Sequence, residues 1–237
     1  MLDEALREIR RRKWERIVVF TGAGVSADSG IPTFRGVGGL WRNFRAEDLA
    51  TPDAFARDPA LVWEWYEWRR ELVRSAQPNA AHRAIASLDR ALVVTQNVDS
   101  LHARAGSRKI IELHGNLFRV RCTREGTTHD ATAPFAELPP RCECGALLRP
   151  DVVWFGELPY DLDRIEQAVV SCDLFVSVGT SGAVYPAAGY VALAAAFGAR
   201  TLELNLEPSD AAVPFDEVRA GPATEVVPAW VAEVLVT

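Results

Sequence analysis

The sequence contains no apolar run of about 18 residues or more, the length at which a segment becomes a candidate membrane-spanning helix. Its N-terminal segment, MLDEALREIRRRKWERIVVF, also lacks the hydrophobic stretch of a secretory signal. We therefore expect a cytoplasmic protein that does not interact with membranes.

Positive charge is in short supply, since 26 lysine and arginine residues face 32 aspartate and glutamate residues and the net charge is -6. A sequence-independent grip on nucleic acid needs a basic face, so this balance argues against a nucleic-acid partner. Hydrophobic residues at 49% and charged residues at 24% are typical of a globular protein. A length of 237 residues predicts one main domain with a smaller inserted module.

Cysteine is scarce, with four residues in the chain. Cys172 lies in the apolar segment CDLFVSVG, which predicts a buried core position. Cys122, Cys142 and Cys144 surround a turn-rich segment. In a reducing compartment such a cluster indicates a metal site more than a disulfide.

The spacing of these cysteines departs from a zinc ribbon, in which two C-x-x-C pairs stand roughly 15 to 20 residues apart. Glu125 stands three residues after Cys122, and the second pair, CEC, is one residue short. The fourth ligand could be Glu125, His129 or water. The alternative is a module that has lost zinc and is held together by packing.

Short apolar runs alternate with helical segments along most of the chain. The runs are RIVVFTG, ALVVTQN, KIIELHG, LFVSVGT and RTLELNL. This alternation predicts an α/β fold, a Rossmann-like parallel sheet with helices on both faces. Two further segments, YPAAGYVALAAAFGA and TEVVPAWVAEVL, predict surface helices of the same domain.

Two regions interrupt this alternation. Residues 36–80 are helical and aromatic, and residues 118–155 hold three cysteines and a predicted return strand, DVVWF. We interpret both as insertions that form a small lobe with a helical module and a possible zinc-ribbon module. The main domain then comprises residues 1–35, 81–117 and 156–237.

A glycine-rich turn follows the first predicted strand. Gly22, Gly24 and Ala27 match G-x-G-x-x-[GA], a pattern whose backbone N–H groups can meet a pyrophosphate at the start of a helix. A tight strand-to-helix turn without a ligand is the alternative. The acidic residue expected about 20 residues later at the end of a second strand is missing, which disfavours a hydride-transfer dehydrogenase.

Polar residues follow two later predicted strands of the sheet. In an open α/β sheet, ligands bind at the carboxyl ends of the strands. The residues at these ends are Gly179, Thr180, Ser181, Asn205, Leu206 and Glu207.

The segment LVWEWYEWRREL, residues 61–72, predicts one helix. At about 100° per residue, Arg69 falls on the apolar arc with Tyr66, whereas Arg70 falls on the polar arc and is expected to point to water. Trp63 is an apolar exception on the polar arc. A guanidinium in apolar surroundings needs an anion, which is either a protein carboxylate or a ligand.

Six segments occur in the order and spacing of a known family: GAGVSADSGIPTFRG, TQNVDSLHARAG, ELHGNL, VVWFGE, GTS and NLEP. Over about residues 15–235 the chain resembles the sirtuins, NAD-dependent protein lysine deacylases. The resemblance implies an enzyme that uses NAD to remove acyl groups from lysine side chains of proteins. Its products would be deacylated lysine, nicotinamide and O-acyl-ADP-ribose.

The resemblance also implies roles for individual residues. His114 would be the general base, with Asn97 and Asp99 as further catalytic residues. Val153, Trp154, Phe155 and Gly156 would form a strand edge along which the peptide substrate adds. The residues implied in NAD binding are Gly22, Ala23, Gly24, Ser26, Ala27, Ile31, Pro32, Phe34, Arg35, Gln96, Asn97, Val98, Asp99, Gly179, Thr180, Ser181, Asn205, Leu206, Glu207 and Ala223.

Tyr66 and Arg69 match the Tyr-x-x-Arg pattern of a sirtuin subgroup that removes acidic acyl groups such as succinyl and malonyl. The resemblance implies that this pair binds the distal carboxylate of the acyl group. Ala50 would leave room for the longer acyl chain. The alternative is that Arg69 pairs with a protein carboxylate or extends to the surface.

Structural roles remain alternatives for several of these residues. His114 could satisfy a local hydrogen bond, and Asp99 could be a helix N-cap. His102 is expected to be structural, and His82 and His129 carry no predicted chemistry.

Two other functions stay open beside deacylation. The same NAD pocket would serve a protein ADP-ribosyltransferase. A non-enzymatic NAD-sensing or zinc-ribbon binding module is disfavoured by the intact His114 and the intact QNVD segment. We expect a monomer, with structural zinc at the three clustered cysteines left open.

Overall fold

A computed structural model of the chain describes residues 14–32, 44–181, 189–209 and 213–236. Its strands are β1 (Ile17–Thr21), β2 (Ala91–Thr95), β3 (Ile110–Glu112), β4 (Gly115–Cys122), β5 (Thr128–Asp130), β6 (Leu148–Val152), β7 (Leu174–Val178), β8 (Arg200–Asn205) and β9 (Glu217–Ala220). Its α-helices are α1 (Ala46–Leu49), α2 (Pro52–Arg57), α3 (Pro59–Ser75), α4 (Ala80–Ala86), α5 (Leu101–Arg104), α6 (Leu162–Ser171), α7 (Tyr190–Ala196) and α8 (Ala223–Val236).

The main sheet of the described residues has six strands in the order β3-β2-β1-β7-β8-β9. All neighbouring strands in it are parallel. The five predicted strands all belong to this sheet. Strand β9 was not predicted. Its four residues, EVRA, alternate charged with apolar side chains and none of them is buried, so no apolar run marks the strand.

Helices cover both faces of this sheet. Alternate residues of β1 enter different hydrophobic clusters, as expected for a central parallel strand. Val19 lies in a cluster with residues of α4 and α8. Phe20 lies in a second cluster with residues of α6 and α7. The predicted fold class is therefore confirmed, and both predicted surface helices are found where the chain is described.

A second sheet is antiparallel and has the order β5-β4-β6. It shares one hydrophobic cluster with α1, α2 and α3. The described parts of the two predicted insertions thus pack against each other. The exact division of the chain into two domains stays a prediction.

The predicted return strand DVVWF is wrong in its bounds, because β6 spans Leu148–Val152. After Val152 the backbone N–H of Val153 donates to the carbonyl of His114, and that of Phe155 donates to the carbonyl of Ala50, both at 2.9 Å. The predicted strand edge at residues 153–156 thus lies beyond the end of β6, with a turn at Phe155 and Gly156. Its role in binding the peptide substrate stays a prediction.

Helix α3 contains the whole predicted helix 61–72 and begins two residues earlier, at Pro59, where the carboxylate of Asp58 accepts the N–H of Leu61 at 3.0 Å. The prediction that Arg70 points to water is wrong. Its side chain is 1% exposed and its Nε lies 2.9 Å from a carboxylate oxygen of Glu67.

Part of the polar arc of α3 is also covered by the protein, which explains why Trp63 and Arg70 are buried although the periodicity places them on that arc. Trp63 is fully buried, and its Nε1 donates to the carbonyl of Leu148 at 2.8 Å. Arg70 donates to the carbonyls of Leu117 and Ala133, each at 2.8 Å, and to that of Ala131. The second sheet and the loop after β5 cover the part of the polar arc that carries Trp63 and Arg70, whereas Glu64 and Glu71 on the same arc are exposed.

Within the part of the chain that the structure describes, no helix is long and apolar enough to cross a membrane.

Candidate functional site

Two glycine turns contact each other at the carboxyl ends of β1 and β7. Gly22 and Gly24 donate their backbone N–H groups to the carbonyls of Val178 and Gly179, at 3.0 and 2.9 Å. A Cβ at Gly24 would lie 2.7 Å from the Cα of Gly179, so only glycine permits this approach. The N–H groups of Gly22 and Gly24 are therefore used within the protein, and the contact of this turn with a pyrophosphate stays a prediction.

A short 3-10 helix, Ala23–Ser29, follows the first glycine turn and carries Ser26 into a buried polar network. The Ser26 hydroxyl donates to Asp99 Oδ2 at 2.7 Å and accepts the Nδ2–H of Asn97 at 3.1 Å. Asn97 also donates to the carbonyl of Gly22 at 3.0 Å. Three predicted site residues from two loops thus meet directly.

The alternative that Asp99 is a helix N-cap is wrong, because Ser100 is the N-cap of α5, and the catalytic role of Asp99 stays a prediction. Its Oδ1 accepts the N–H of Leu101 at the start of α5 at 2.9 Å, while its Oδ2 binds Ser26. The side chain is buried, and this burial raises the pKa of the carboxyl above its usual value.

The sequence analysis gave His82 no chemical role, yet it lies in the same network. Its Nε2 is 3.3 Å from the Ser26 hydroxyl, and its ring centre is 4.8 Å from that of His102. His102 is structural as expected, with Nε2 3.0 Å from the hydroxyl of Thr21. Burial lowers the pKa of His82 to about 4 and that of His102 to about 3, so both rings are neutral at pH 7. Asn79 is the N-cap of α4 and binds His82 three residues later. This N-x-x-H pattern is the local sequence signal that indicates a fixed position for the His82 ring.

His114 lies between β3 and β4, and its Nδ1 is 3.1 Å from the carbonyl oxygen of Gln96. Because a carbonyl only accepts, Nδ1 carries the ring proton and Nε2 keeps its lone pair. Burial lowers the pKa of His114, an effect partly offset by the Gln96 carbonyl. The ring is therefore held as a neutral base at neutral pH.

The other predicted NAD-binding residues that the structure describes lie in the loops after β1, β2, β7 and β8 or at the start of α8. Gln96 donates its N–H to the carbonyl of Thr21 at 2.9 Å, and Asn205 Nδ2 donates to the carbonyl of Thr180 at 2.7 Å. These bonds tie together the ends of neighbouring strands. Phe34 and Arg35 lie outside the described residues, and the role of the whole set in binding NAD stays a prediction.

The predicted acyl-selective residues are brought together from three parts of the chain. Tyr66 is fully buried on α3, and its hydroxyl accepts the Nε1–H of Trp154 at 2.9 Å. Ala50 is buried at the end of α1 and binds Phe155 through its carbonyl. Arg69 is 8% exposed, so the alternative in which it extends to the surface is wrong.

The Arg69 guanidinium lies over two aromatic rings, 4.8 Å from the ring centre of Trp65 and 5.5 Å from that of Tyr66. Burial lowers the pKa of Arg69, and the nearby Tyr66 acts in the opposite direction. Burial raises the pKa of Tyr66, so its phenol keeps its proton at neutral pH. The pair thus combines a buried cation with a hydroxyl on one face of α3.

A second cluster of ligand-type side chains lies at the end of β4. Cys122, Glu125, Cys142 and Cys144 place one ligand atom each within 4.8 Å of one another. Zinc–sulfur bonds of about 2.3 Å in a tetrahedral site bring ligand atoms to similar separations, so the set fits zinc. The Glu125 N–H donates to Cys122 Sγ at 3.4 Å and lowers the pKa of that thiol. Of the protein ligands that the sequence left open, Glu125 belongs to this cluster and His129 does not.

The Sir2 family model matches residues 22–186 of the chain. The chain belongs to the Sir2 family. NAD-dependent protein deacylase 2 of Pyrobaculum aerophilum is 55% identical over 225 residues, which cover 92% of this chain and 90% of that protein. The NAD-dependent protein deacylase of Pasteurella multocida is 50% identical over 233 residues, which cover 94% of this chain and 99% of that protein.

The fold of this Sir2-family chain is also that of a solved family structure. The crystal structure of a Sir2 homologue in complex with NAD superimposes with a TM-score of 0.89 at 45% identity and covers 98% of this chain and 93% of that one. The predicted family and the predicted enzyme class, an NAD-dependent protein deacylase, are confirmed.

Proposed function

We propose that this NAD-dependent protein deacylase prefers lysine side chains that carry a short acidic acyl group, succinyl or malonyl, and also accepts acetyl-lysine. The observation that carries the proposal is the buried pair of Tyr66 and Arg69 on one face of α3. A guanidinium next to a phenol can bind a carboxylate through charge-assisted hydrogen bonds. The distal carboxylate of a succinyl or malonyl group is an acceptor that both side chains can bind.

The position of this pair supports a role in binding the acyl group. Trp154 contacts Tyr66 through its indole N–H, and the following Phe155 binds the carbonyl of Ala50. The preceding residue, Val153, binds the carbonyl of His114. One short segment therefore connects the proposed base to the proposed acyl-binding pair, which is the arrangement that an acylated lysine lying along this segment requires.

In the proposed reaction, acyl-lysine, NAD and one water would give lysine, nicotinamide and O-acyl-ADP-ribose, with the ribose as the acceptor of the acyl group. His114, with Nδ1–H fixed on the Gln96 carbonyl, takes a proton from a ribose hydroxyl at Nε2. Ser26, Asn97 and Asp99 hold the loops that frame the ribose and nicotinamide. The carboxyl ends of β7 and β8, with Asn205 among their residues, hold the adenosine end.

Mass spectrometry of two peptides of identical sequence, one succinylated and one acetylated at a single lysine, tests this function. With NAD present, we expect both peptides to lose the acyl group and O-acyl-ADP-ribose to form, with the higher kcat/KM for the succinyl peptide. Without NAD, neither peptide should change. A higher kcat/KM for the acetyl peptide would contradict the proposed preference, and ADP-ribose retained on protein without deacylated peptide would instead indicate the transferase.

A further inference from the structure

Trp154 and Tyr66 are 88 residues apart in sequence, and their side chains meet in the protein interior through the 2.9 Å hydrogen bond between indole Nε1 and the phenol oxygen. They are 3% and 0% exposed. An indole N–H only donates, so the phenol oxygen accepts in this bond. The hydrogen of the Tyr66 hydroxyl must then point away from Trp154.

We propose that Trp154 is a positioning residue for acyl selectivity, because it fixes Tyr66 as the hydrogen-bond donor to the distal carboxylate of the substrate. This inference rests on the proposed function, in which Tyr66 and Arg69 bind that carboxylate. A carboxylate only accepts hydrogen bonds. A phenol whose lone pair is engaged by an indole is therefore oriented for this ligand before the ligand arrives.

The indole is held in place by a charged pair on one side. The Arg149 guanidinium lies 3.4 Å from the ring centre of Trp154. It donates two parallel hydrogen bonds to the carboxylate of Glu157, at 2.6 and 2.9 Å. The same carboxylate accepts the backbone N–H of Trp154 at 2.8 Å. Arg149 and Glu157 thus fix both the ring and the backbone of the residue that orients Tyr66.

Further contacts fix the remaining freedom of the indole. The ring of Phe55 on α2 lies 5.3 Å from that of Trp154. The backbone on either side of Trp154 is bound as well, since Val153 and Phe155 donate to the carbonyls of His114 and Ala50. The direction of the indole N–H is therefore set by the protein and does not depend on bound substrate.

Trp154→Phe tests the proposal, since it keeps an aromatic ring and removes the N–H. We expect the KM for a succinyl peptide to rise roughly two- to tenfold, the effect of one hydrogen bond, with little change in kcat. Because residue 154 also lies in the proposed peptide-binding segment, the deciding readout is the succinyl-to-acetyl ratio of kcat/KM, which should fall by the same two- to tenfold. Trp63→Phe is the matched control, because it removes another buried indole N–H, bonded to Leu148, and should leave the succinyl-to-acetyl ratio of kcat/KM unchanged.

The same substitution in a Tyr66→Phe background gives the sharper test. With the phenol hydroxyl gone, Trp154→Phe should no longer alter the succinyl-to-acetyl ratio. If Trp154→Phe does not fold, benzothienylalanine at position 154 replaces it, because this residue keeps the shape of the indole and lacks the N–H.

Two results overturn the inference: equal losses on both peptides in the Trp154 variant, or the same change in ratio with and without the Tyr66 hydroxyl. The proposed function fails in a different measurement: the enzyme without substitutions would then show no higher kcat/KM for the succinyl peptide than for the acetyl peptide.

Discussion

Arg69 and Arg70 are adjacent in α3, yet their guanidinium groups lie in contrasting surroundings. Arg70 donates to the carbonyls of Leu117, Ala131 and Ala133 and pairs with Glu67. Arg69 lies over aromatic rings beside the Tyr66 phenol. Arg70 therefore joins the helix to the second sheet, whereas Arg69 is the arginine that we propose binds the acyl group.

We predict that Arg69→Met lowers kcat/KM on a succinyl peptide by roughly 10- to 100-fold, the cost of losing about 1.5 to 3 kcal/mol of charge-assisted hydrogen bonding. The acetyl peptide carries no distal carboxylate, so its kcat/KM should change much less. Arg74→Met is a control on the same helix, since Arg74 pairs with Glu67 and Glu71 near the surface. Equal losses on both peptides would assign Arg69 to a structural role.

Arg70→Met should reduce stability and leave the succinyl-to-acetyl ratio unchanged. The substitution removes the buried partner of the ion pair with Glu67 and the donor to the buried carbonyl of Leu117. We expect a loss of about 3 kcal/mol or more in the free energy of unfolding, measured by urea denaturation. Arg74→Met should cost less than about 1 kcal/mol, the usual value of a partly exposed ion pair. A stable Arg70 variant with altered acyl preference would contradict this division of roles.

The helical periodicity of residues 61–72 correctly placed Arg69 inside and misplaced Arg70. Periodicity separates two arcs of a helix, but it does not show whether a second layer covers the polar arc. Here the covering groups are Leu117, Leu148 and the loop at 131–133, which are 47 to 85 residues away in sequence from the side chains they bind. Such contacts depend on the fold, so the helix sequence alone could not predict them.

The dependence of kcat/KM on pH should report the protonation of His114. In its proposed role as general base His114 acts as the neutral ring, and burial lowers its pKa below the usual histidine value of 6.5. We therefore expect activity to fall only when pH decreases through a midpoint below about 6.5, and to be constant above it. His114→Gln should lose roughly 10²- to 10⁴-fold in rate, the usual contribution of a general base. An acid limb that persists unchanged in this variant would assign the titration to another group.

His82 and His102 should make the protein sensitive to acid. Their pKa values of about 4 and about 3 in the folded protein lie below the unfolded value of 6.5, so unfolding takes up protons between these values. The free energy of unfolding should thus fall as pH decreases below about 6.5, by up to about 1.4 kcal/mol per pH unit for each ring.

Urea denaturation at several pH values between 4.5 and 7 measures this effect as a slope, on the order of one proton per buried ring. His82→Asn should reduce the slope by up to one proton. His129→Asn, which changes an exposed histidine on β5, is the control variant outside this buried pair. A slope that is the same in the His82 variant would show that this ring does not take up a proton on unfolding.

His82 and Glu125 show which residues of a site can be predicted from local sequence and which cannot. The motif segments identified the family, and with it the loops that carry Ser26, Asn97 and Asp99. His82 lies outside these segments and reaches Ser26 only because α4 packs beneath the glycine turn, with Asn79 bonded to the carbonyl of Val25 at 2.8 Å. Glu125 could be named as a candidate ligand from spacing, but its choice over His129 needed the fold of the turn after β4.

Glu125 should determine how firmly this cluster holds zinc. A carboxylate is a weaker ligand for zinc than a thiolate in a site with three thiols, so Glu125→Cys should slow the extraction of zinc by a chelator. Glu125→Ala should speed it, because water would take the fourth position. Zinc content measured by mass spectrometry after timed dialysis follows both variants, and His129→Ala is the control from the same sheet. Equal rates of zinc loss in the parent protein and Glu125→Ala would exclude Glu125 as a ligand, whereas faster loss in the His129 variant would place the fourth ligand on β5.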